Sequence, residues 1–291
     1  MKIGVIGSIN IDLVLRLERF MRKGETVIGQ DFQLHMGGKG ANQATMMTSL
    51  IDSVIFCGAV GNDAYADKAL SHFAAIGLQK DFIYQKEGNT GLALIQLVEG
   101  DNAIAVVPGV NNLFTREDID NFFEKNKDIE IVVLQLEINF DIVEHIITKC
   151  HNNGIKVILN PAPAKDIDKS IIEKVHYLIP NETEAELIFK TNDYKSIVKD
   201  NLGKVIITLG DNGVIFWDSV ENVPKIIPAK KINVLDTTGA GDSFIAGFSV
   251  GLIKNMSISA AIELGIVVAS LTCESMGAQG AFERIKKEIK V

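Results

Sequence analysis

The chain has 291 residues, of which 47% are hydrophobic and 23% charged, with a formal net charge of −8. This balance is typical of a globular protein, and the negative charge argues against nucleic acid or an anionic membrane as the main partner. No apolar run approaches the ~20 residues of a membrane span, and the three cysteines lack the spacing of a disulfide framework or zinc site. We therefore predict a cytoplasmic protein.

Short apolar runs rich in Ile and Val alternate with helical patterns along most of the chain. Runs typical of buried parallel strands lie at residues 2–8, 53–60, 130–137, 155–161, 175–181 and 204–210. Helical patterns cover residues 41–50, 64–76, 140–152, 182–190, 240–254 and 257–274. This alternation predicts an α/β fold with a mostly parallel central sheet and helices on both faces.

Two regions break the alternation. Residues 13–35 and 90–108 are extended, with a turn at residues 99–102, and show no obvious helical pattern. They are predicted to form a small separate β-sheet that acts as a lid over the main domain. Since no linker or internal repeat is evident, residues 1–291 are expected to form one domain that includes this lid.

Polar residues follow several of the predicted strands at their carboxyl ends. Glu137 ends one run, Asn181 follows another, and Gly-Asp-Asn-Gly at 210–213 follows a third. Open α/β sheets bind their ligands at this edge, so these residues are expected to share a crevice. An ordinary helix start is the alternative for Asn181, with Glu184 in the capping-box position.

The first glycine-rich segment is HMGGKGANQA at 35–44. Gly37 and Gly38 permit close backbone approach, while Lys39, Asn42 and the helix start offer donors to a polyhydroxylated or anionic ligand. A plain strand-to-helix turn is the alternative. Asn10 and Asp12, in GSINID at 7–12, suit sugar hydroxyls or an Asx-turn.

The second glycine-rich segment is LDTTGAGDSF at 235–244. Glycines that open a helix leave backbone N–H groups free to bind a phosphoryl group. A carboxylate there can accept a proton from the hydroxyl that attacks phosphorus, so Asp242 is a candidate general base. Its alternative is to complement the helix dipole alone.

Some motifs are absent from the sequence. The chain has neither a phosphate-binding G-x-x-x-x-G-K-[ST] segment nor a G-x-G-x-x-G after the first strand. The five histidines lack metal-ligand or catalytic-dyad spacing, and we expect them to be structural or surface residues.

The assembled motifs resemble those of the ribokinase-type carbohydrate kinase family over nearly the whole chain. GSINID, GGKGANQA, NPAPA, PNETEAE, DTTGAGD and GAQGAF occur in the family's order. The resemblance implies a ribokinase-like fold and ATP-dependent phosphorylation of D-ribose at its 5-hydroxyl.

The same resemblance implies the roles of individual residues. The sugar contacts implied are Asn10, Asp12, Gly38, Lys39, Asn42, Glu137 and Asp242. Asp242 would be the base, beside an anion hole of Gly239, Ala240 and Gly241. The nucleotide contacts implied are Asn181, Glu184, Thr208, Leu209, Gly210, Asp211, Asn212, Gly213 and Gly241.

Ions and assembly are implied as well. ATP would be the phosphoryl donor, Mg²⁺ would be required and K⁺ would activate. The potassium ligands implied are Asp236 and Thr238, with backbone oxygens of Thr272, Ser275 and Gly277. A homodimer through the apolar lid is expected; the alternative is a monomer whose lid strands are twisted and charged enough to stand alone, as Arg16, Glu18 and Arg19 suggest. Two positions depart from the family pattern: Ile266 replaces an Asn near the adenine, and Ala281 replaces a Ser of the cation site.

Two other functions remain open at this point. A sister kinase could act on another sugar or on a nucleoside, although no additional aromatic residue suggests base stacking near Asn10 and Asp12. A catalytically silent sugar-binding regulator is the second alternative, and the intact Gly-Ala-Gly-Asp argues against it.

Overall fold

The computed structural model describes residues 2–99 and 101–291, and these residues form three sheets. The strands are β1 (Lys2–Ile6), β2 (Asn10–Arg16), β3 (Asp31–Gly37), β4 (Val54–Val60), β5 (Phe82–Gln85), β6 (Gly91–Val98), β7 (Asp101–Val107), β8 (Ile129–Leu134), β9 (Lys156–Leu159), β10 (Tyr177–Leu178), β11 (Ile206–Thr208), β12 (Val214–Asp218) and β13 (Val223–Ile227). The helices are α1 (Lys39–Leu50), α2 (Ala64–Ile76), α3 (Arg116–Lys125), α4 (Phe140–Asn152), α5 (Lys169–Lys174), α6 (Glu182–Phe189), α7 (Tyr194–Asp200), α8 (Ala240–Ile253), α9 (Ile258–Cys273) and α10 (Phe282–Glu288), with 3₁₀ turns at Gly109–Leu113 and Gly210–Asn212.

The central sheet has the strand order β10-β9-β8-β1-β4-β5, and all its neighbouring strands are parallel. The chain moves to one side of β1 to add β4 and β5, and later to the other side to add β8. A ligand crevice is expected at such a reversal, at the carboxyl ends of β1 and β8. The predicted fold class is confirmed.

Helices cover both faces of this sheet and bury two apolar clusters. One cluster packs Ile3 and Val5 against α1, α2, α8, α9 and α10. The other packs Ile6 and Val132 against α3 to α7. Strands covered on both faces must be apolar throughout, which explains their continuous Ile and Val runs. None of the described helices is long and apolar enough to cross a membrane.

The second sheet has the order β3-β2-β6-β7 and contains residues from both predicted lid segments. Strand β2 begins at Asn10, earlier than predicted, and residues 17–30 form no strand. Gly100, in the predicted turn at 99–102, lies outside the described residues; β6 and β7 pair antiparallel on either side of it.

The third sheet corrects one prediction. The run at 204–210 was expected to be a parallel strand; it does bridge parallel to the central sheet, but β11 pairs along its length antiparallel with β12, which in turn pairs antiparallel with β13. Among the described residues, the isolated parallel bridges Leu178 with Val205 and Asn181 with Thr208 connect this run to the central sheet. The 3₁₀ turn after Thr208 sends the chain straight back, so a hairpin forms instead of a helical crossover.

Candidate active site

The start of α1 lies against the connection between β1 and β2. Gly38 precedes this helix with φ of 87°, and a Cβ at this position would lie 2.7 Å from the Asn10 backbone nitrogen. Only glycine tolerates both the dihedral and the contact. As a result the Lys39 N–H donates to Glu137 Oε2 at 3.0 Å, and the Ser8 hydroxyl donates to the same oxygen. The carboxylate that follows β8 is thereby fixed beside the residues that follow β1.

Asn10 and Asp12 lie two residues apart on β2, so their side chains project from the same face of the lid sheet. The buried Asn111 amide donates to Asn10 Oδ1 at 2.8 Å and to the Ile9 carbonyl at 3.0 Å, while its oxygen accepts from the Ile9 N–H. This pairing assigns the Asn10 oxygen to Asn111 and leaves the Asn10 NH₂ group to donate to a ligand.

Four charged side chains meet where the lid approaches the sheet. Burial, together with the carboxylates of Glu137 and Asp242, raises the pKa of Asp12 to about 7, and the nearby Lys39 ammonium only partly opposes this shift. Burial alone would lower the pKa of Lys39, but neighbouring carboxylates, above all Asp242 and Glu137, raise it overall. Excess negative charge in the cleft therefore suits a ligand that brings hydroxyl donors.

The start of α8 is the second glycine-built turn. Gly239 has φ of 78°, and a Cβ there would lie 2.6 Å from Ala278 Cβ. A Cβ on Gly241, by contrast, would meet no atom within 4 Å, so the first turn of α8 borders open space that could hold a ligand. Asp242 follows in this turn, and its carboxylate accepts from Asn42 Nδ2 and Gln43 Nε2, each at 2.9 Å.

Three cavities join along this edge of the sheet. A cavity of about 510 Å³ lies under the lid beside Asp12, a central one of about 210 Å³ borders Lys39 and Asp242, and another of about 510 Å³ borders β11 and α9. Thr237 lines all three, and Gly241 lines the central cavity and the one beside α9. The cleft thus has room for one molecule under the lid and another beside α9, with the central cavity between them.

The predicted nucleotide residues divide into two groups. Those that line the cavity beside α9 are Asn181, Thr208, Gly210, Asp211, Gly213 and Gly241, while Glu184 lines the central cavity. The Leu209 side chain instead packs in the core, and Asn212 is exposed and does not line this cavity.

Asn181 and Glu184 do form the capping box that the sequence left open as an alternative. The Asn181 oxygen accepts from the Glu184 N–H, and Glu184 accepts from the Asn181 N–H. Burial raises the pKa of Glu184, against the hydrogen bond from Asn181 and the charge of Lys39. Because the box leaves the Glu184 carboxylate on the cavity wall, a structural and a ligand-binding role are compatible.

The predicted cation residues come together in two adjacent segments. Asp236 accepts from the Thr238 N–H at 2.9 Å and from the Gly277 N–H at 2.8 Å. The Ser275 N–H, just beyond α9, donates to the carbonyl of Thr272 in the last turn of that helix. Among the described residues no group of three or more His, Cys, Asp or Glu could hold a metal. Backbone and hydroxyl oxygens with one carboxylate fit a weakly held monovalent cation better than zinc or another transition metal.

Several site residues were missed by the sequence reasoning. Gln43, Asn111, Gln135 and Gln279 all donate amide hydrogen bonds that orient predicted site residues, directly or through one intermediate. Gln43 and Gln279 lie inside the quoted motifs GGKGANQA and GAQGAF, which was the available signal. Asn111 and Gln135 follow no motif, and only the folded chain reveals their roles.

Comparison with known proteins shows which proteins this chain is similar to. A ribokinase of Lactococcus lactis is 41% identical to the chain over 287 residues, covering 98% of this chain and 95% of the relative. A deoxyribokinase of Salmonella typhimurium is 32% identical over 299 residues, covering 99% and 97%. The solved structure of Arabidopsis thaliana ribokinase complexed with ribose and ATP matches with a TM-score of 0.83 at 27% identity and covers 99% of each chain.

The pfkB family carbohydrate kinase model matches residues 1–285. The family resemblance inferred from the sequence motifs is thereby confirmed. The chain belongs to the pfkB family of carbohydrate kinases.

Proposed function

We propose that this protein transfers the γ-phosphoryl group of ATP to the 5-hydroxyl of D-ribose, giving ribose 5-phosphate. The observation that carries this proposal is the position of Asp242, on the wall of the central cavity, between the lid cavity and the cavity beside α9. The ribokinase relatives, one of them solved with ribose and ATP, support the choice of sugar and donor.

The sugar binds between the lid and the start of α1. Asp12 and Glu137 supply carboxylate acceptors for its hydroxyls, while Lys39, Asn42 and the oriented Asn10 NH₂ group supply donors. Because Gly38 has no Cβ, the start of α1 packs directly against the Asn10 backbone, which brings the α1 donors beside the lid residues. This mixture of donors and acceptors suits a small molecule with many hydroxyls and no aromatic base.

Asp242 acts as the general base. Its carboxylate accepts the proton of the 5-hydroxyl as that oxygen attacks phosphorus. The Gly241 N–H belongs to the first turn of α8, where backbone amides lack an intrahelical acceptor and the helix dipole is positive. Together with Gly239 and Ala240, it stabilises negative charge that develops on the transferred group.

The nucleotide binds in the cavity beside α9. Thr208, Gly210, Asp211, Gly213 and the start of α6 border its polar end, whereas Ile266 and Ala269 give it an apolar wall. Ile266 therefore offers the base packing in place of a side-chain hydrogen bond.

Two cations complete the proposal. Mg²⁺ neutralises phosphate charge when it is bound, and the Glu184 carboxylate on the cavity wall fits this ion or its water ligands. K⁺ would be held by Asp236, Thr238 and the backbone oxygens of Thr272, Ser275 and Gly277. Since Ala281 supplies no hydroxyl, this site is expected to be weak or completed by water.

A homodimer through the lid is also proposed. Side chains alternate along each strand, so Leu13, Leu15 and Leu94 lie on the lid face opposite Asp12. Phe32 and Leu34 extend this face, and the edge strand β7 is exposed along its whole length. Pairing two lids about a two-fold axis would bury these apolar surfaces.

A cytoplasmic location is proposed as well. Cys57 and Cys150 are buried as free thiols, as expected in a reducing compartment where ATP is available.

The function is tested by measuring ADP release from ATP with D-ribose, 2-deoxyribose, fructose and nucleosides as acceptors. Preferred turnover of ribose, with phosphate recovered on the 5-oxygen, is expected. Turnover of deoxyribose or a nucleoside alone would replace the proposed substrate with that of a sister kinase. Sugar binding without ADP release would favour a silent regulator.

A further inference from the structure

Asp242 lies at the meeting point of two chains of amide hydrogen bonds. Asn42 donates to its Oδ2 and Gln43 to its Oδ1, each at 2.9 Å. All three side chains are buried, and Gln43 is fully inaccessible. The carboxylate is therefore oriented by two neutral donors from a single turn of α1.

The carboxylate fixes the direction in which each series of side chains donates, because an ionised carboxylate only accepts hydrogen bonds. Asn42 must turn its NH₂ toward Asp242, so its oxygen accepts from Gln279 Nε2 at 2.9 Å. Gln279 then presents its own oxygen to His72 Nε2 at 2.7 Å. This outer chain runs from the α2 helix through the loop before α10 to the base.

The inner chain follows the same rule. Gln43 turns its NH₂ to Asp242, so its oxygen accepts from Gln135 Nε2 at 2.6 Å. The Gln135 oxygen is consequently left without a hydrogen-bond partner among the described residues. An unpaired Gln135 oxygen is the expected result when the Asp242 carboxylate sets the direction of donation for the whole series of hydrogen bonds.

We infer that Gln279 is a positioning residue for phosphoryl transfer: it orients Asn42, and through Asn42 it orients the carboxylate of Asp242. The inference rests on the proposed function, in which Asp242 accepts the proton of the sugar hydroxyl. Gln279 does not touch the carboxylate itself and acts only through Asn42.

The loop that carries Gln279 also contacts the segment that leads to α8. In the same loop the Gly277 N–H donates to Asp236 Oδ2, and the Gly280 N–H donates to the Gly277 carbonyl. Asp236 opens the segment that leads to Gly239 and the start of α8. One loop therefore fixes both the approach to the anion hole and the orientation of the base.

The test uses Gln279→Glu, which keeps the shape of the side chain but removes its donor. The glutamate can still accept from His72, whereas toward the Asn42 oxygen it presents a second acceptor. Asn42 must then lose this bond or turn its oxygen toward Asp242. We expect kcat with ribose to fall roughly 10- to 100-fold, as for a misplaced reacting group, with little change in the KM for ATP.

The pH profile separates positioning from a structural role. The added negative charge and the weakened donor both favour the protonated form of the base. The acid limb of kcat should therefore move to higher pH in Gln279→Glu. In Gln279→Met, whose side chain is neutral and similar in length, kcat should fall by less than in Gln279→Glu. The acid limb of its pH profile should also move less.

The matched control is Gln79→Glu, the same substitution at an exposed position between α2 and β5, at the opposite edge of the sheet. It should keep the wild-type kcat, KM and pH profile. Should Gln279→Glu fail to fold, Gln279→Met carries the test alone.

The outcomes distinguish this inference from the proposed function. Wild-type kcat and pH profile in folded Gln279→Glu, or a lowered melting temperature with unchanged kcat, would overturn the positioning role. If Asp242→Asn is inactive in the same assay, the proposed base survives that result. If Asp242→Asn remains active, the assigned base is wrong and the role of Gln279 is overturned with it.

Discussion

Lowering the pH from 8 to 6 should lower kcat/KM for ribose because it protonates a single residue, Asp12. Burial and the carboxylates of Glu137 and Asp242 raise the pKa of Asp12 to about 7, with Lys39 opposing. The ionised form accepts hydroxyl hydrogen bonds at both oxygens, while the neutral form carries a competing proton. For a pKa near 7, the ionised fraction falls from about nine-tenths at pH 8 to about one-tenth at pH 6. We therefore expect kcat/KM for ribose to fall roughly tenfold over this interval.

The same shift has a consequence for the stability of the empty protein. The folded state binds the Asp12 proton more tightly than the unfolded chain does, because the folded pKa is raised from 3.8 to about 7. The contribution of Asp12 to the free energy of unfolding is thus fully present below pH 4 and is lost as pH rises to about 7. Asp12→Asn should accordingly raise the melting temperature of the ligand-free protein at pH 8 while impairing catalysis.

The assay measures ADP release at saturating Mg·ATP and varied ribose across pH 6 to 8. Asp12→Asn should have a low kcat/KM that no longer follows this titration. His35, paired with Asp12 across the two lid strands, is the nearest ionisable residue on β3. A His35→Gln variant should keep the pH dependence. A wild-type kcat/KM for ribose that stays flat between pH 6 and 8 would refute the reasoning, as would loss of the dependence in His35→Gln alone.

Four further predictions follow from the site and the lid. Asp242→Asn should fold and bind ribose but lose roughly 10²–10⁴-fold in kcat, the usual range for a general base; near wild-type turnover in the folded variant contradicts the assignment. Asn111→Asp should raise the KM for ribose about tenfold, because a carboxylate cannot donate to Asn10 and the substitution removes a buried hydrogen bond worth about 1–3 kcal/mol. An unchanged KM would contradict the role of Asn111 in orienting Asn10. Turnover should require Mg²⁺ and increase with K⁺, whereas equal rates in K⁺ and a large organic cation at matched ionic strength would argue against the monovalent site. Light scattering should give twice the 31.7 kDa of one chain, and a monomer mass with or without ribose would rule out the lid dimer.

The local sequence was sufficient to predict the bounds of a helix where a regular pattern ends at a strong stop signal. Helices α2 and α4 have the bounds that their periodicity predicted, and Gly77 ends α2 in the left-handed conformation. The weaker elements were not predicted: β5, β12, β13, α3, α5, α7 and α10. Most of these are short, so they offer few periods of a pattern and depend on tertiary packing for their stability.

The sequence by itself determined the fold class, the two glycine turns and the candidate base, because each depends on neighbouring residues. What holds Asp242 was decided only by the tertiary structure: its partners Asn42 and Gln43 lie 200 and 199 residues away along the chain. The antiparallel pairing of β11 with β12 was likewise decided only by the folded chain, since an apolar run is compatible with a parallel or an antiparallel neighbour. Hydrogen bonds and burial between distant segments leave no periodic trace in the sequence, and so the orientation of the base and the titration of Asp12 emerge only when the lid, α1 and α8 come together.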